Sequence, residues 1–247
     1  MRAGLMVHGL DIALDRESEF AGAFERSRTI LEAHGARAWY VRTNIRELER
    51  SFDVDWQYEA HGLFLTACLS THESRHDVLV IASTYVADQL RLPWGSNPVS
   101  DPLMSGPRPL IHDGTAFSKW QKVADFAGDP TMQAHVRVCW EGERLDRNCG
   151  RCFKCLATFA AFQLAGIDAP AAFPGDTCRA QMRTLRLASP QNHELVASMY
   201  REACARGLTR LAGDLRFVLR RDASRPAWWT RLEQTVSRRR RLWRRAT

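Results

Sequence analysis

The chain has 247 residues, 45% of them hydrophobic, which is enough for a substantial core in one or two domains. No stretch approaches the roughly 20 apolar residues of a membrane span, and no signal-peptide layout opens the chain, so we expect a cytoplasmic protein with reduced thiols. The net charge of +7 comes from residues 206–247, where 13 arginines oppose three acidic residues. The body of the chain therefore lacks the basic balance of a nucleic-acid-binding protein.

The N-terminal third alternates between strand-like and helix-like patterns. Short apolar runs at 3–8 and 39–41 predict two strands, and residues 18–34 between them repeat apolar side chains at helical spacing. This order predicts a βαβ crossover. A second helix is predicted from about residue 58 to 69, and the apolar run 78–82 predicts a strand covered on both faces. The pattern indicates an α/β fold with an open parallel sheet and flanking helices.

Residues 93–114 hold five prolines and three glycines, too many for a regular element. We therefore predict a long loop. Loops after the carboxyl ends of parallel strands bind ligands in open α/β sheets, so this loop is a candidate part of a functional site. A solvated connector explains its composition equally well.

The second half of the chain is predicted to be mostly helical. Residues 118–127 and 156–164 predict helices that end at glycines, residues 135–140 predict a strand, and a long helix is predicted over 192–219. We therefore predict three regions: an α/β region at 1–130, a four-cysteine segment and helix at 131–170, and a helical extension with a basic tail at 171–247.

Four of the seven cysteines lie within seventeen positions, in the pattern C-x9-C-x2-C-x2-C. They are Cys139, Cys149, Cys152 and Cys155. The Cys-x2-Cys spacing lets a tight turn aim two thiolates at one ion, and tetrahedral Zn2+ takes four such donors. An iron–sulfur cluster is the rival, but Phe159 stands where the ferredoxin pattern places its fourth cysteine. We therefore predict a structural zinc site, since four thiolates leave no open position for catalysis.

Beyond Pro226 the chain carries three tryptophans among arginines: Trp228, Trp229 and Trp243. Such a segment suits stacking on nucleic acid or binding to an anionic membrane surface. A docked or frayed terminal helix with solvated arginines is the simpler interpretation, and we favour it.

The cysteine segment and several upstream motifs occur in an order that is found in one enzyme superfamily. After Cys139, residues 148–155 read Asn-Cys-Gly-Arg-Cys-Phe-Lys-Cys and run into a predicted helix. With this segment, residues 3–168 resemble the PP-loop ATP pyrophosphatase superfamily, and in particular proteins similar to 7-cyano-7-deazaguanine synthase of the queuosine pathway. Four upstream segments match that family more loosely: residues 81–85, 100–102, 109–111 and 118–119.

The resemblance implies a Rossmann-like, N-type ATP pyrophosphatase fold and an adenylate-forming ligase. In such an enzyme a small-molecule carboxylate attacks the α-phosphorus of ATP, pyrophosphate leaves, and ammonia or another amine captures the acyl-adenylate as an amide or nitrile. The resemblance further implies that Lys119 stabilises phosphate charge and that Asp101 orients the substrate or holds Mg2+. The residues it implies for substrate or ATP binding are His61, Ser83, Tyr85, Ser96 and Lys122.

One departure from the family pattern is large. The superfamily begins with a strand and a Ser-Gly-Gly-x-Asp-Ser loop that grips the ATP phosphates, and no such motif occurs in the 247 residues. Residues 3–8 match the family's second strand. Since the family's first strand is central, we expect two half-sheets with unpaired edges. Three explanations stay open: the missing part lies upstream, a separate chain or a homo-oligomer supplies it, or the sheet has closed up without it. The chain alone is expected to be inactive.

Two other functions stay open. A zinc-braced binding module without catalysis would use the basic tail to hold nucleic acid or an acidic partner. A tRNA-modifying relative within the superfamily would use a cysteine as sulfur carrier, and the candidates outside the cluster are Cys68, Cys178 and Cys204.

Overall fold

The computed structural model describes residues 2–90 and 92–223 as a mixed α/β structure, in which the described strands form two separate two-stranded parallel sheets. The strands are β1 (Ala3–His8), β2 (Arg37–Arg42), β3 (Leu79–Ala82) and β4 (Leu110–Asp113). The α-helices are α1 (Glu17–Ala33), α2 (Arg46–Phe52), α3 (His61–Ser70), α4 (Ser100–Leu103), α5 (Lys119–Phe126), α6 (Pro130–His135), α7 (Phe153–Leu164), α8 (Gly175–Gln181), α9 (Pro190–Ala205) and α10 (Thr209–Ala223). A π-helix (Trp56–Ala60) leads into α3, and short 3-10 helices occupy Glu73–Arg75 and Met182–Thr184.

The predicted βαβ crossover at the N-terminus is confirmed. β1 and β2 pair in parallel, from Ala3 opposite Arg37 to His8 opposite Arg42. α1 covers one face of this pair, where the rings of His8 and Phe20 stack with their centroids 4.2 Å apart. The parallel pairing brings the loops that follow β1 and β2 to the same edge of the sheet.

The second strand pair is covered on one face only. β3 and β4 run parallel, and Leu79, Ile81 and Leu110 are buried against side chains of α3 and the residue after α4. Val80 and Ile111 lie opposite each other on the other face and are 50% and 46% exposed. The prediction that this strand is covered on both faces is therefore wrong within the described part of the chain.

Several other predicted elements are confirmed. The predicted helix at 58–69 appears as the π-helix followed by α3, and the helix at 118–127 appears as α5. Ser118 begins α5 with a capping box, in which its side chain accepts from the backbone of Gln121 and the Gln121 side chain accepts in return. The predicted loop at 93–114 contains the short helix α4 and ends in β4.

The largest core surrounds α7. Its residues Leu156, Phe159 and Phe162 are each 0% exposed, and α5, α8 and α9 pack around the helix. A helix that is apolar on nearly every side is stable only in an interior. Buried residues from Val123 to Val218 belong to this core, so all three predicted regions contribute to it, and the division into regions stays a prediction.

Two helices, rather than one, fill the range predicted as a long helix over 192–219. α9 ends at Ala205 and α10 begins at Thr209, with Gly207 between them at a φ of 68°. This left-handed conformation ends a helix and favours glycine. The tryptophan-rich tail lies outside the described residues, and no helix within 2–90 and 92–223 is both long and apolar enough to cross a membrane.

The prediction of a strand at 135–140 is also wrong. α6 ends at His135, and the residues after it hydrogen-bond to a side chain instead of a neighbouring strand. The amide of Asn148 accepts from Val138 N at 2.9 Å and donates to Val136 O at 2.8 Å and Ala172 O at 3.0 Å. These bonds satisfy the backbone locally, so the extended segment needs no strand partner.

Candidate functional site

The four predicted cysteines come together as a group that could hold a metal ion. Their sulfur atoms all lie within 4.8 Å of one another. The Sγ atoms of Cys149 and Cys155 are 3.8 Å apart, and those of Cys139 and Cys152 are 3.9 Å apart. A tetrahedral ion with metal–sulfur bonds of about 2.3 Å places its ligand sulfurs about 3.8 Å apart. The spacing of the sulfurs therefore fits a single tetrahedral ion.

Local backbone geometry shapes this centre. Gly150 has a φ of 71°, which allows the turn between the second and third cysteines. The backbone N–H groups of Arg151 and Cys152 both donate to Cys149 Sγ at 3.4 Å, and that of Cys155 donates to Cys152 Sγ at 3.4 Å. Such N–H donors stabilise thiolates, which are the metal-binding form of cysteine.

The segment between Cys139 and Cys149 packs against the N-terminal βαβ unit. Leu145 is buried together with Ile12, Phe20 and Ala23. Its backbone N–H donates to the carboxylate of Glu19 at 2.7 Å. The four-cysteine group thus lies between the α7 core and α1, so its integrity should affect both parts of the protein.

The cysteine thiols and Lys119 influence one another electrostatically. Hydrogen bonding to Cys139 raises the pKa of Cys152 to about 12, and Cys139 and Cys152 raise the pKa of Cys155, because neighbouring sulfurs in a small volume resist ionising together. Burial, with a smaller contribution from Lys154, lowers the pKa of Lys119 to about 8, and the nearby Cys152 and Cys155 oppose that shift. Lys119 therefore lies close enough to the four-cysteine group to interact with it electrostatically.

A second polar cluster lies at the carboxyl ends of β3 and β4. Asp101 is 0% exposed, and its carboxylate accepts from Ser96 Oγ at 2.6 Å, from His112 Nδ1 at 2.7 Å and from Asn97 N at 3.1 Å. The carboxylate is enclosed and fully hydrogen-bonded. Asp101 can thus influence a ligand only through its neighbours, His112 and Ser96.

Aromatic rings surround one side of this cluster. Trp94 lies edge-on to Tyr85, His61 and Tyr58, with ring centroids 5.0, 5.5 and 6.2 Å away. Tyr58 belongs to the π-helix, a rare element that often occurs at functional sites. Two segments, the π-helix with the start of α3 and the loop after β3, therefore converge on Trp94, an arrangement that suits a planar ring as ligand.

Two glycines, Gly62 and Gly95, allow the loop segment that contains Trp94 to pack closely against α3. This segment, residues 93–97, is called the Trp94 loop. Gly62 N donates to Gly95 O at 2.9 Å, and a Cβ on Gly62 would lie 2.0 Å from that oxygen. Gly95 is equally restricted, because a Cβ there would lie 2.7 Å from His61 Nδ1. The close approach of the two backbones leaves no room for side chains at either position.

Gly62→Ala is expected to destabilise the protein by about 1–3 kcal/mol, because the new methyl group meets backbone that cannot move aside. Gly213→Ala is the matched control, since it lies in α10 with no atom within 4 Å of the new Cβ. That variant should gain about 0.5–1 kcal/mol from helix propensity. Urea unfolding measures both, and equal midpoints for the two variants would contradict the close approach.

Lys122 is the lysine that reaches the carboxyl end of β3. Its Nζ donates to Ser83 Oγ at 2.6 Å and to Ser83 O at 2.9 Å. Gly114, with a φ of 86°, makes room for it, because a Cβ there would lie 3.1 Å from Lys122 Nζ. Burial lowers the pKa of Lys122, and the nearby Asp113 opposes that shift. The ammonium group is thus held next to the polar cluster.

The structure separates the predicted site residues into four sets. Ser96 joins Asp101, Ser83 joins Lys122, and His61 and Tyr85 share Trp94, whereas Lys119 lies near the four-cysteine group. Sequence reasoning missed His112 and Trp94. The position of His112, next to last in a parallel strand, was the signal that could have found it.

The other cysteines differ in exposure. Cys178 and Cys68 are buried, and burial raises the pKa of Cys178 to about 12 and also raises that of Cys68. Cys204 is exposed. A sulfur carrier needs an accessible thiolate, so burial disfavours the first two for that role.

Comparisons with family models, curated proteins and solved structures found no match. The function of the chain has to be inferred from the chemistry of its own residues.

His61 is expected to make stability depend on pH. Burial lowers its pKa from the ordinary 6.5, so the folded protein resists protonating this ring while the unfolded chain accepts the proton. Stability should therefore fall as the pH drops through about 6.5. His61→Gln should reduce this fall, and His193→Gln, at an exposed position, should not. Urea midpoints between pH 7.5 and pH 5.5 measure the difference, and parallel curves for all three proteins would contradict the expectation.

Proposed function

We propose that this chain is the metal-bearing part of an ATP-dependent enzyme that activates a carboxylate as an acyl-adenylate and transfers the acyl group to ammonia or another amine. The product is an amide or, after loss of water, a nitrile. The observation that carries the proposal is the convergence of Lys122, Ser83, Ser96 and His112 at the carboxyl ends of β3 and β4. Ligands of open α/β folds bind at this edge.

The site has groups suited to adenylation and to a substrate that carries a ring. Adenylation spreads negative charge over phosphate oxygens, and Lys122 is a cation already fixed at that edge by Ser83. This assigns to Lys122 the role that the family resemblance implied for Lys119. The aromatic surroundings of Trp94 suit a substrate in which the carboxylate is attached to a planar ring.

The uncovered face of the β3–β4 pair supports the idea that a further segment completes the fold. Parallel strands are normally covered on both faces, yet Val80 and Ile111 leave one face of β3 and β4 uncovered by the described residues. A segment with the Ser-Gly-Gly-x-Asp-Ser loop would add a strand, cover this face and bring the amides that bind phosphate, with Mg2+ as the usual partner of ATP. We propose a Rossmann-like sheet of the N-type ATP pyrophosphatase kind, completed in this way.

We propose Zn2+ as the ion of the four-cysteine centre. Four soft donors at tetrahedral spacing suit zinc, and their number leaves no position for a substrate. The ion then braces the cysteine segment between α7 and α1. Metal analysis of the purified protein tests this: one zinc per chain is expected, and visible absorbance from an iron–sulfur cluster would contradict it.

Exchange of labelled pyrophosphate into ATP tests the enzyme proposal. The chain is assayed with a panel of aromatic carboxylic acids, alone and together with a segment carrying the Ser-Gly-Gly-x-Asp-Ser loop. We expect exchange only in the combined sample, and its loss in Lys122→Met but not in Lys119→Met. Robust turnover of ATP by the chain alone would contradict the need for a second segment, and no exchange in either sample would contradict the enzyme.

A binding module is the second candidate, favoured by the charge of the C-terminal helix. Arg210, Arg216 and Arg220 are exposed on α10, directly before the basic tail. Such a surface would hold the phosphates of a nucleic acid or another acidic partner, and the affinity would fall steeply with salt. Binding of single-stranded RNA that is abolished by deleting residues 226–247, without any exchange activity, would support this module over the enzyme.

A further inference from the structure

The hydrogen bond between His112 and the buried Asp101 fixes which ring nitrogen of His112 carries the hydrogen. An ionised carboxylate can only accept hydrogen bonds, so the Nδ1 of His112, 2.7 Å from Asp101 Oδ2, must carry the hydrogen. The second ring nitrogen, Nε2, then holds a lone pair and is a proton acceptor. The pair thus fixes the tautomer of the imidazole.

The carboxylate is itself held rigidly. Ser96 Oγ donates to the same Oδ2 at 2.6 Å, and Asn97 N donates to Oδ1 at 3.1 Å. Ser100 Oγ adds a weaker contact to Oδ1 at 3.4 Å. The Asp101 side chain is 0% exposed, so these bonds do not compete with water. The orientation of the His112 ring is therefore set before any ligand arrives.

The other nitrogen of His112 is available. No residue within 2–90 or 92–223 forms a hydrogen bond with Nε2, and this atom is not among the fully enclosed polar atoms that lack a partner. The His112 side chain is only 4% exposed, so the accessible part of the ring is small. It lies at the carboxyl end of β4, beside Ser96 and one residue before the strand end at Asp113.

His61 is the natural comparison, because it belongs to the same site. Its Nδ1 lies 3.1 Å from the backbone oxygen of Trp56, so it also has a fixed tautomer. A backbone carbonyl stabilises a protonated imidazole much less than a carboxylate does, because it carries no full charge. Of the two histidines, His112 is the one equipped to hold a proton taken from a substrate.

We infer that His112 is the catalytic base of the amine-capture step and that Asp101 is its positioning residue, an inference that rests on the proposed function. The amine nitrogen attacks the acyl carbon of the adenylate, and a carbon–nitrogen bond forms. The bond from that carbon to the phosphate oxygen breaks, and AMP leaves with its electrons. The proton released by the nitrogen passes to His112 Nε2, and Asp101 stabilises the resulting imidazolium until the proton goes to water.

Separate assays of the two half-reactions test this role in the completed enzyme. Pyrophosphate exchange measures adenylation, and product formation with ammonium chloride measures amine capture. We expect His112→Gln to lower amine capture about 100-fold more than it lowers exchange. Hydroxylamine, a strong nucleophile that is unprotonated at neutral pH, should restore much of the product. His61→Gln, the matched control, should change both half-reactions in similar proportion.

The outcomes distinguish the inference from the proposed function. Equal losses of exchange and capture in His112→Gln, or no rescue by hydroxylamine, would overturn the base role while leaving the enzyme proposal in place. No exchange in the unchanged completed enzyme would overturn both.

A measurement on the unmodified chain checks the tautomer without any reaction. In spectra of the isotope-labelled protein that correlate ring protons with ring nitrogens, His112 should carry its hydrogen on Nδ1, and Asp101→Asn should shift this preference. A hydrogen on Nε2 of the unchanged chain would overturn the inference whatever the activity.

Discussion

Cys155→Ser should unfold the helical core around α7, and removal of the metal with a chelator should do the same. Binding of a structural zinc contributes about 10–16 kcal/mol in small domains, whereas whole domains are stable by only about 5–15 kcal/mol. The residue is 0% exposed, and it belongs both to the four-cysteine group and to the core around α7. Thermal unfolding followed by circular dichroism, with and without chelator, measures the loss.

Cys204→Ser is the matched control for this prediction. The residue is exposed and lies outside the four-cysteine group, so its melting temperature should stay near that of the unchanged protein. Hydrogen exchange adds a second readout: loss of the metal should also loosen α1, because Leu145 of the cysteine segment packs with Phe20 and Ala23. Equal melting temperatures with and without chelator would contradict a structural role for the centre.

Asp101→Ala is the second large expected effect. The substitution leaves the donors of His112, Ser96 and Asn97 enclosed without an acceptor, and breaking a buried pair of this kind costs about 3–5 kcal/mol. Urea unfolding measures the change in the free energy of unfolding. Because the network also forms the Trp94 loop, the intrinsic fluorescence of the folded variant should change as well.

Asp77→Ala is the control for Asp101→Ala. The Asp77 side chain is 96% exposed, and its ion pair with Arg108 is 3.6 Å long, so its removal should cost less than about 0.5 kcal/mol. A cost below about 1 kcal/mol for Asp101→Ala would mean that water can replace the carboxylate, which would contradict an enclosed network.

Local features of the chain were predictable because their causes are local. Cys149, Cys152 and Cys155 lie three residues apart, so one turn brings their sulfurs together. The helix α5 starts at a capping box whose two partners, Ser118 and Gln121, are also three residues apart. No distant residue is needed for either feature.

The errors arose where packing or another segment, rather than the local pattern, decided the structure. Residues 136–140 have a strand-like composition, but Asn148 satisfies their backbone from another part of the cysteine segment. Val80 belongs to an apolar run that is typical of a strand covered on both faces. In the described chain no element packs on its side of the sheet, so its side chain is 50% exposed. Gly207 was a local signal for the break between α9 and α10, but the apolar periodicity on both sides of it outweighed that signal.

In the functional site, too, some features follow from the local sequence and others from the packing of separate elements. Residue types and spacing by themselves determined the four-cysteine group, the βαβ start and the loop that carries Ser96 and Asp101, because neighbours along the chain specify turns, caps and periodicity. Only the tertiary structure decided that Lys122 reaches Ser83 while Lys119 lies near the cysteines, and that His112 meets Asp101. Those contacts depend on how separate elements pack. The hydrophobic periodicity of one element does not predict which side chain of another element it will contact.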